Sequence, residues 1–135
     1  MRHSDEVLAR ARRPERVGAF PPGPDVGTGE AGSLDEGTMA RIQVRVDGTR
    51  VTAAVFKVFG CSAAIASASL VAERLDGAPL EGARRLAGDD IATALALAPE
   101  RRHVAALAVD AAQRALDDWE RRQGAAGGAA PGTDA

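Results

Sequence analysis

The stretch from Thr38 to Phe59 constrains the fold more than any other part of this chain. From Thr38 to Asp47 the side chains alternate between apolar and polar, the period of a half-buried β-strand. The pair Asp47-Gly48 then suits the positive backbone angles of a tight turn. A second β-rich run from Arg50 to Phe59 follows, so we predict that the two strands pair antiparallel. The predicted buried face of the first strand comprises Ala40, Ile42, Val44 and Val46.

After Cys61 the apolar residues recur with the period of a helix, and Gly77 is its predicted end. The Ala and Ser residues between them permit close packing on the sheet. The predicted apolar stripe of this helix comprises Ile65, Leu70, Val71 and Leu75.

The flanking segments add helices and one edge strand. Ser4 is a favourable N-cap for a first helix over Asp5–Arg13. The Gly- and Pro-rich residues Val17–Gly32 favour an irregular loop or an edge strand, and the segment up to Glu36 is a candidate third strand. Further helices are predicted over Leu80–Ala87, from Asp89 or Asp90, and from Pro99 to Gly124.

Because the strands come first and most helices follow, the chain is predicted to be an α+β domain, a small antiparallel three-stranded sheet with helices packed on one face. Residues 1–123 are expected to form this single domain, and the Gly- and Ala-rich residues 124–135 a disordered tail. Trp119 is expected to close the far end of the core rather than to stack on a ligand.

Composition argues against several classes of partner. The 135 residues carry a formal net charge of -2, so nucleic acid and anionic membranes are not expected as partners. No apolar run approaches the ~20 residues that span a bilayer, and the charged N-terminus lacks the apolar centre of a secretory signal. The single cysteine cannot form an internal disulfide. We therefore expect a cytoplasmic protein.

That cysteine, Cys61, lies where the second strand gives way to a helix. The free amides of a helix N-terminus favour a thiolate, which binds metal or attacks sulfur. The alternative is that Cys61 is simply a small buried apolar residue.

Four stretches carry a resemblance to a known family. They are "SDEVLARARRPERVGAF", "DVGTGEAG", "FKVFGCSAAIASASLVAERLDG" and "LALAPERRHVAALAVDAAQRAL", which together reach from Ser4 to Leu116. They resemble the U-type iron-sulfur cluster assembly scaffolds, the IscU and NifU N-terminal family. The resemblance implies a scaffold rather than an enzyme.

The family holds its cluster with three cysteines, an aspartate and a histidine, and the resemblance carries only two of these five onto this chain. Cys61 and His103 are kept. The first cysteine position falls on Glu36, the aspartate on Thr38 and the third cysteine on Val104. The resemblance therefore implies a ligand-depleted member.

The predicted ligands are Cys61, His103 and Glu36. Asp35, next to Glu36, could replace it as the carboxylate. One thiolate, one imidazole and one carboxylate suit a single ferrous or zinc ion better than a cluster, which usually has four terminal ligands. The cofactor is thus predicted to be iron or a labile iron-sulfur cluster, with zinc possible. In the alternative interpretation, His103 is an ordinary surface residue and Glu36 merely belongs to a turn.

The resemblance also implies partners, namely a cysteine desulfurase and other assembly proteins. The family's chaperone-binding segment corresponds here to "LAPER", Leu97–Arg101, where Glu100 places an acidic residue that disfavours binding to a hydrophobic groove. Three functions remain open: a scaffold that binds iron or a labile cluster, a cluster-free paralogue that binds assembly partners or accepts sulfur on Cys61, and an enzyme with Cys61 as nucleophile and His103 as base.

Overall fold

The computed structural model describes the backbone of residues 4–129 and the side chains of residues 4–124. The strands form one sheet of order β1-β2-β3 in which both pairs are antiparallel. The predicted α+β class and three-stranded sheet are therefore confirmed. In chain order the elements are α1 (Asp5–Arg12), β1 (Val26–Ser33), β2 (Thr38–Asp47), β3 (Arg50–Phe59), α2 (Ser62–Leu75), α3 (Leu80–Arg84), α4 (Gly88–Ala94), a 3-10 turn (Pro99–Arg101) and α5 (Arg102–Ala129).

Strands β2 and β3 form the predicted hairpin. Their register runs from Met39 opposite Phe59 to Asp47 opposite Arg50, with an irregularity between Arg45 and Val46. All four residues of the predicted inner face of β2 are buried. The period of two in the sequence therefore predicted the face of this strand correctly.

The helices form a layer on the inner face of the sheet. Helix α5 packs on β1 and β2, α2 packs on β3 and β2, and α1 and α4 lie against α2 and α5 respectively. Ser4 caps α1 as predicted, because its Oγ accepts a hydrogen bond of 3.2 Å from the Val7 amide. The same Oγ donates to the Leu95 carbonyl at 2.6 Å, which ties the start of α1 to the end of α4.

Two glycines of β1 allow α5 to lie directly on the strand. A Cβ on Gly29 would sit 2.1 Å from the Ala111 carbonyl oxygen, and one on Gly27 would sit 2.2 Å from that of Ala115. Any side chain there would push the helix away. The "GTG" sequence is thus explained by close helix-on-strand packing.

Helix α5 also satisfies the open edge of β1. The Asp118 carboxylate accepts a hydrogen bond of 2.8 Å from the Thr28 amide, and the Arg114 guanidinium donates to the Glu30 carbonyl at 3.2 Å. These contacts occupy backbone groups that an edge strand would otherwise present to other chains.

The chain that precedes β1 first pairs with the free edge of β3 and then crosses the outer face of the sheet. Val17 forms a parallel bridge with Phe56 of β3. The Phe20 amide then donates to the Gln43 side-chain oxygen at 2.9 Å, and the Arg45 guanidinium lies 4.3 Å from the centre of the Phe20 ring. Gln43 is therefore buried, although the alternation placed it on the polar face.

Several predicted details of the helices differ from the structure. Ile65 is only half-buried, and the buried residues of α2 are not confined to the predicted stripe. The last helix opens with the 3-10 turn and continues to Ala129, beyond the predicted end at Gly124. Residues 130–135 of the predicted tail lie outside the described residues, and its disorder stays a prediction. Trp119 packs partly buried against the core, as expected.

Candidate functional site

The predicted site residues lie on three elements that meet at one end of the sheet. Ser33 pairs with Thr38 and Met39 pairs with Phe59, so the β1–β2 turn and the end of β3 lie at the same end. The Leu107 side chain of α5 reaches to within 3.0 Å of the point where a Cβ on Gly32 would sit. The first turns of α5 therefore approach the same end.

Cys61 is the N-cap residue of α2. Its backbone is extended, and the first helical hydrogen bond runs from the Ile65 amide to the Cys61 carbonyl at 3.0 Å. The thiol makes no capping hydrogen bond, and the first turn of α2 contains no acidic residue. The first amides of any helix lack an acceptor within the helix. In α2, neither the Cys61 thiol nor an acidic side chain of the first turn provides one instead. This is the strand-to-helix position that the sequence predicted.

The Cys61 side chain is half-buried and packs against the hydrophobic core. It is therefore neither a fully enclosed apolar residue nor a freely exposed thiol. Partial exposure is typical of reactive cysteines, whereas fully buried structural cysteines are inert.

Gly60 and Thr38 are the residues at which β2 contacts the junction between β3 and α2. A Cβ on Gly60 would lie 3.1 Å from the Ala64 Cβ and 3.2 Å from the Thr38 Cγ2. Glycine thus lets α2 begin beside β2. Thr38, which the resemblance places at the family's aspartate position, therefore lies next to the Gly60-Cys61 step.

Glu36 lies in the turn between β1 and β2. Its backbone amide donates to the Ser33 hydroxyl at 3.2 Å, and the Gly37 amide donates to the Leu34 carbonyl at 3.0 Å. Both Asp35 and Glu36 are exposed. The turn therefore presents carboxylates to solvent at the site end of the sheet.

His103 and Val104 differ sharply in environment, although they are adjacent near the start of α5. His103 is exposed, whereas Val104 is 2% exposed and belongs to the core cluster. The residue that the resemblance places at the family's third cysteine position is thus an apolar core residue.

Within the part of the chain whose side chains are described, no group of three or more His, Cys, Asp or Glu residues could hold a metal ion. Cys61, His103 and Glu36 therefore do not form a ready-made site in this structure. Their role as ligands stays a prediction.

The segment "LAPER" is partly built into the fold. Leu97 is 8% exposed and belongs to the core, Ala98 is extended, and Pro99–Arg101 form the 3-10 turn. A partner that read this segment as an extended peptide would have to pull Leu97 from the core.

Two large apolar side chains are exposed at the site end of the sheet, and the sequence patterns did not lead us to predict them. Phe59 is 57% exposed and Leu34 is 60% exposed. The signal for Phe59 was present, because the period of two places Phe56 and Val58 on the inner face of β3 and Phe59 on the outer one.

No helix within residues 4–129 is long and apolar enough to cross a membrane.

Comparison with known proteins identifies relatives along nearly the whole chain. The family model described as NifU-like N terminal domain matches residues 2–126. The chain is 38% identical over 126 residues to the iron-sulfur cluster assembly scaffold protein IscU of Azotobacter vinelandii, covering 92% of this chain and 98% of that protein. It is 35% identical over 125 residues to IscU of Escherichia coli K12, covering 91% and 98%.

Solved structures support the fold. The N-terminal region of a NifU-like protein from Brucella abortus matches with a TM-score of 0.70 at 21% identity, covering 87% of this chain and 94% of that one. A putative SUF-system scaffold from Fervidobacterium islandicum gives 0.70 at 17% identity, covering 84% and 96%. The resemblance found in the sequence is confirmed, and the chain belongs to the NifU-like N-terminal domain family.

Proposed function

We propose that this protein is a scaffold-like component of iron-sulfur cluster assembly that binds iron or a labile iron-sulfur cluster as cargo and passes it on. The proposal rests on the relatives, which are named as assembly scaffolds rather than as enzymes. The observation that carries it is the half-buried Cys61 at the N-cap of α2, kept within the family's framework.

The donor set determines which cargo fits. Cys61 supplies one thiolate, while Val104 supplies an apolar side chain enclosed in the core. A cluster held by several thiolates of one chain therefore does not fit these residues. A single ferrous or zinc ion fits the chemistry of a thiolate, an imidazole and a carboxylate better, with a water or partner ligand in the remaining position.

For such an ion to bind, the exposed Glu36 turn and the exposed His103 would have to close around Cys61. Neither group is enclosed by the core. Their side chains can therefore reorient without loss of core packing, whereas Cys61 is held by the start of α2. We expect Cys61 to be the strongest ligand and the carboxylate the weakest.

Burial of Val104 favours a second candidate function, a cluster-free paralogue that engages a cysteine desulfurase. In that function the Cys61 thiolate attacks the terminal sulfur of the desulfurase persulfide. The S–S bond of that persulfide breaks, Cys61 becomes a persulfide, and the desulfurase cysteine leaves as a thiolate.

Metal binding tests the first function. Protein purified without oxygen is titrated with ferrous iron or zinc, and roughly one ion per chain is expected, with Cys61→Ala losing most of the affinity. His103→Ala is expected to lose less, and Asp110→Ala, on the exposed side of α5, is the matched control. Equal weak binding by the wild type and Cys61→Ala would contradict the metal site.

Sulfur transfer tests the second function. The protein is incubated with the host's cysteine desulfurase and cysteine, and its intact mass is measured. An added sulfur that disappears in Cys61→Ser is expected. If no sulfur is added while the desulfurase modifies another acceptor, Cys61 does not accept persulfide sulfur.

A further inference from the structure

The outer face of the sheet is covered unevenly. The segment before β1 lies over the Gln43 end, where Phe20 contacts Gln43 and Arg45. Beyond Gln43, towards Cys61, lie two further rows of outward-facing residues. We call them the outer patch, which consists of Met39, Arg41, Lys57 and Phe59.

The outer patch is concave and apolar at the end nearest Cys61. Together with Val58, its four residues line a groove of about 270 Å³. Met39 and Phe59 are cross-strand neighbours, and 57% of Phe59 is exposed. A large aromatic ring left this open beside a groove is typical of an interaction site rather than of a scattered surface residue.

The charges of the outer patch are not balanced. Arg41 lies directly opposite Lys57 in the β2–β3 register, and like charges in that relation are unfavourable. Glu30, on the other side of Arg41, pairs with it at 2.8 Å. Lys57 has no carboxylate within 4.0 Å among the described side chains. The row therefore carries one cation in excess, beside the exposed ring of Phe59.

We propose that the outer patch docks a segment of a partner protein that combines apolar side chains with a carboxylate. The apolar side chains enter the groove between Met39 and Phe59, and the carboxylate pairs with Lys57, which relieves its repulsion by Arg41. Because Phe59 precedes Cys61 by two residues, the outer patch reaches the end of β3 at which α2 begins. This inference does not depend on whether Cys61 binds metal or accepts sulfur.

A second copy of this chain is a poorer occupant. A two-fold contact between outer patches would set the excess cation of one copy against that of the other, so the surface is not complementary to itself. The contact of Phe20 on the same face shows what a suitable occupant provides. Its ring lies beside the Arg45 guanidinium and its backbone pairs with Gln43, which buries both apolar and polar groups of the sheet.

The test uses the full chain labelled with ¹⁵N and two synthetic peptides, one that alternates Leu and Phe with Asp and one in which Lys replaces Asp. The acidic peptide is expected to shift the amide signals of Met39, Lys57 and Phe59 in a saturable way, and the basic peptide is not. Lys57→Glu is expected to weaken the acidic peptide about tenfold, because a favourable charge pair becomes a repulsive one. Arg74→Glu, on the exposed side of α2, is the matched control and should change binding less than about twofold.

A second measurement separates binding from folding. Lys57→Glu places a carboxylate opposite Arg41, so its melting temperature should equal or exceed that of the wild type while its peptide binding falls. Three results would overturn the proposal: no saturable shift with the acidic peptide, equal binding of both peptides, or equal binding by Lys57→Glu and Arg74→Glu. Shifts of the same amides on raising the protein concentration alone would assign the patch to a second copy instead.

Discussion

Asp118 ties α5 to the open edge of β1, and its loss is expected to cost more stability than the loss of an exposed ion pair. Its carboxylate accepts hydrogen bonds from the Thr28 amide at 2.8 Å and from Arg122 Nε at 3.0 Å, and 16% of the side chain is exposed. A hydrogen bond to a charged group contributes about 1.5 to 3 kcal/mol to stability. The ion pair with Arg122 contributes less, because the Arg122 side chain is exposed. We expect Asp118→Ala to lower the free energy of unfolding by about 2 to 3 kcal/mol.

The same contacts give this contribution a pH dependence. Burial by itself raises the pKa of Asp118, but the Thr28 amide and the Arg122 and Arg121 guanidinium groups outweigh it, so the pKa lies below its ordinary value. A carboxyl with a lower pKa in the folded state contributes stability that is complete above the unfolded pKa and is lost as the pH falls through the folded one. The stability difference between the wild type and Asp118→Asn should therefore be constant near neutrality and shrink below about pH 4.

Urea unfolding followed by circular dichroism measures both effects. The matched control is Asp110→Ala, which removes an exposed pair with Arg114 on the same helix and should cost less than about 0.5 kcal/mol. If Asp118→Ala unfolds with the same free energy as Asp110→Ala, the Asp118 carboxylate does not stabilise the edge of β1.

Two further substitutions test the backbone geometry by the same assay. Gly29→Ala should destabilise by about 3 kcal/mol, since its Cβ would overlap the Ala111 carbonyl, whereas Gly124→Ala, with open space around it, should be neutral or stabilising. Ala96→Gly should stabilise by about 1 kcal/mol, because Ala96 has a φ of 52° after α4. Ala94→Gly, at the last residue of α4, should destabilise instead, and the same sign for both would contradict the strain at Ala96.

The hairpin and α2 were predictable because their patterns are local. The period of two from Thr38, the Asp47-Gly48 turn and the change of period after Cys61 each specify backbone geometry within a few residues. The burial of Gln43 was not predictable in this way. It depends on Phe20, which is distant in sequence and crosses the outer face only in the folded chain.

The glycines of β1 show a similar limit. Composition alone favoured a loop or an edge strand at this position, and the structure has an edge strand. Their physical reason, the approach of α5 to the backbone of Gly27 and Gly29, involves residues more than 80 positions away. The environment of the candidate ligands was unpredictable for the same reason, because it depends on contacts between residues distant in sequence. The sequence placed Cys61 at a helix start, but the exposure of His103 and the burial of Val104 follow from how α5 is rotated on the sheet.

Reconstitution with iron and sulfide tests most directly whether this protein is a scaffold with an incomplete ligand set. Visible absorption of the wild type is compared with that of a Glu36→Cys/Val104→Cys variant, which returns thiols to both family positions. A Glu36→Cys/Val109→Cys variant, altered at another core valine of α5, controls for added thiols. We expect a stable cluster only in the Glu36→Cys/Val104→Cys variant. A cluster of equal stability in the wild type would contradict this expectation.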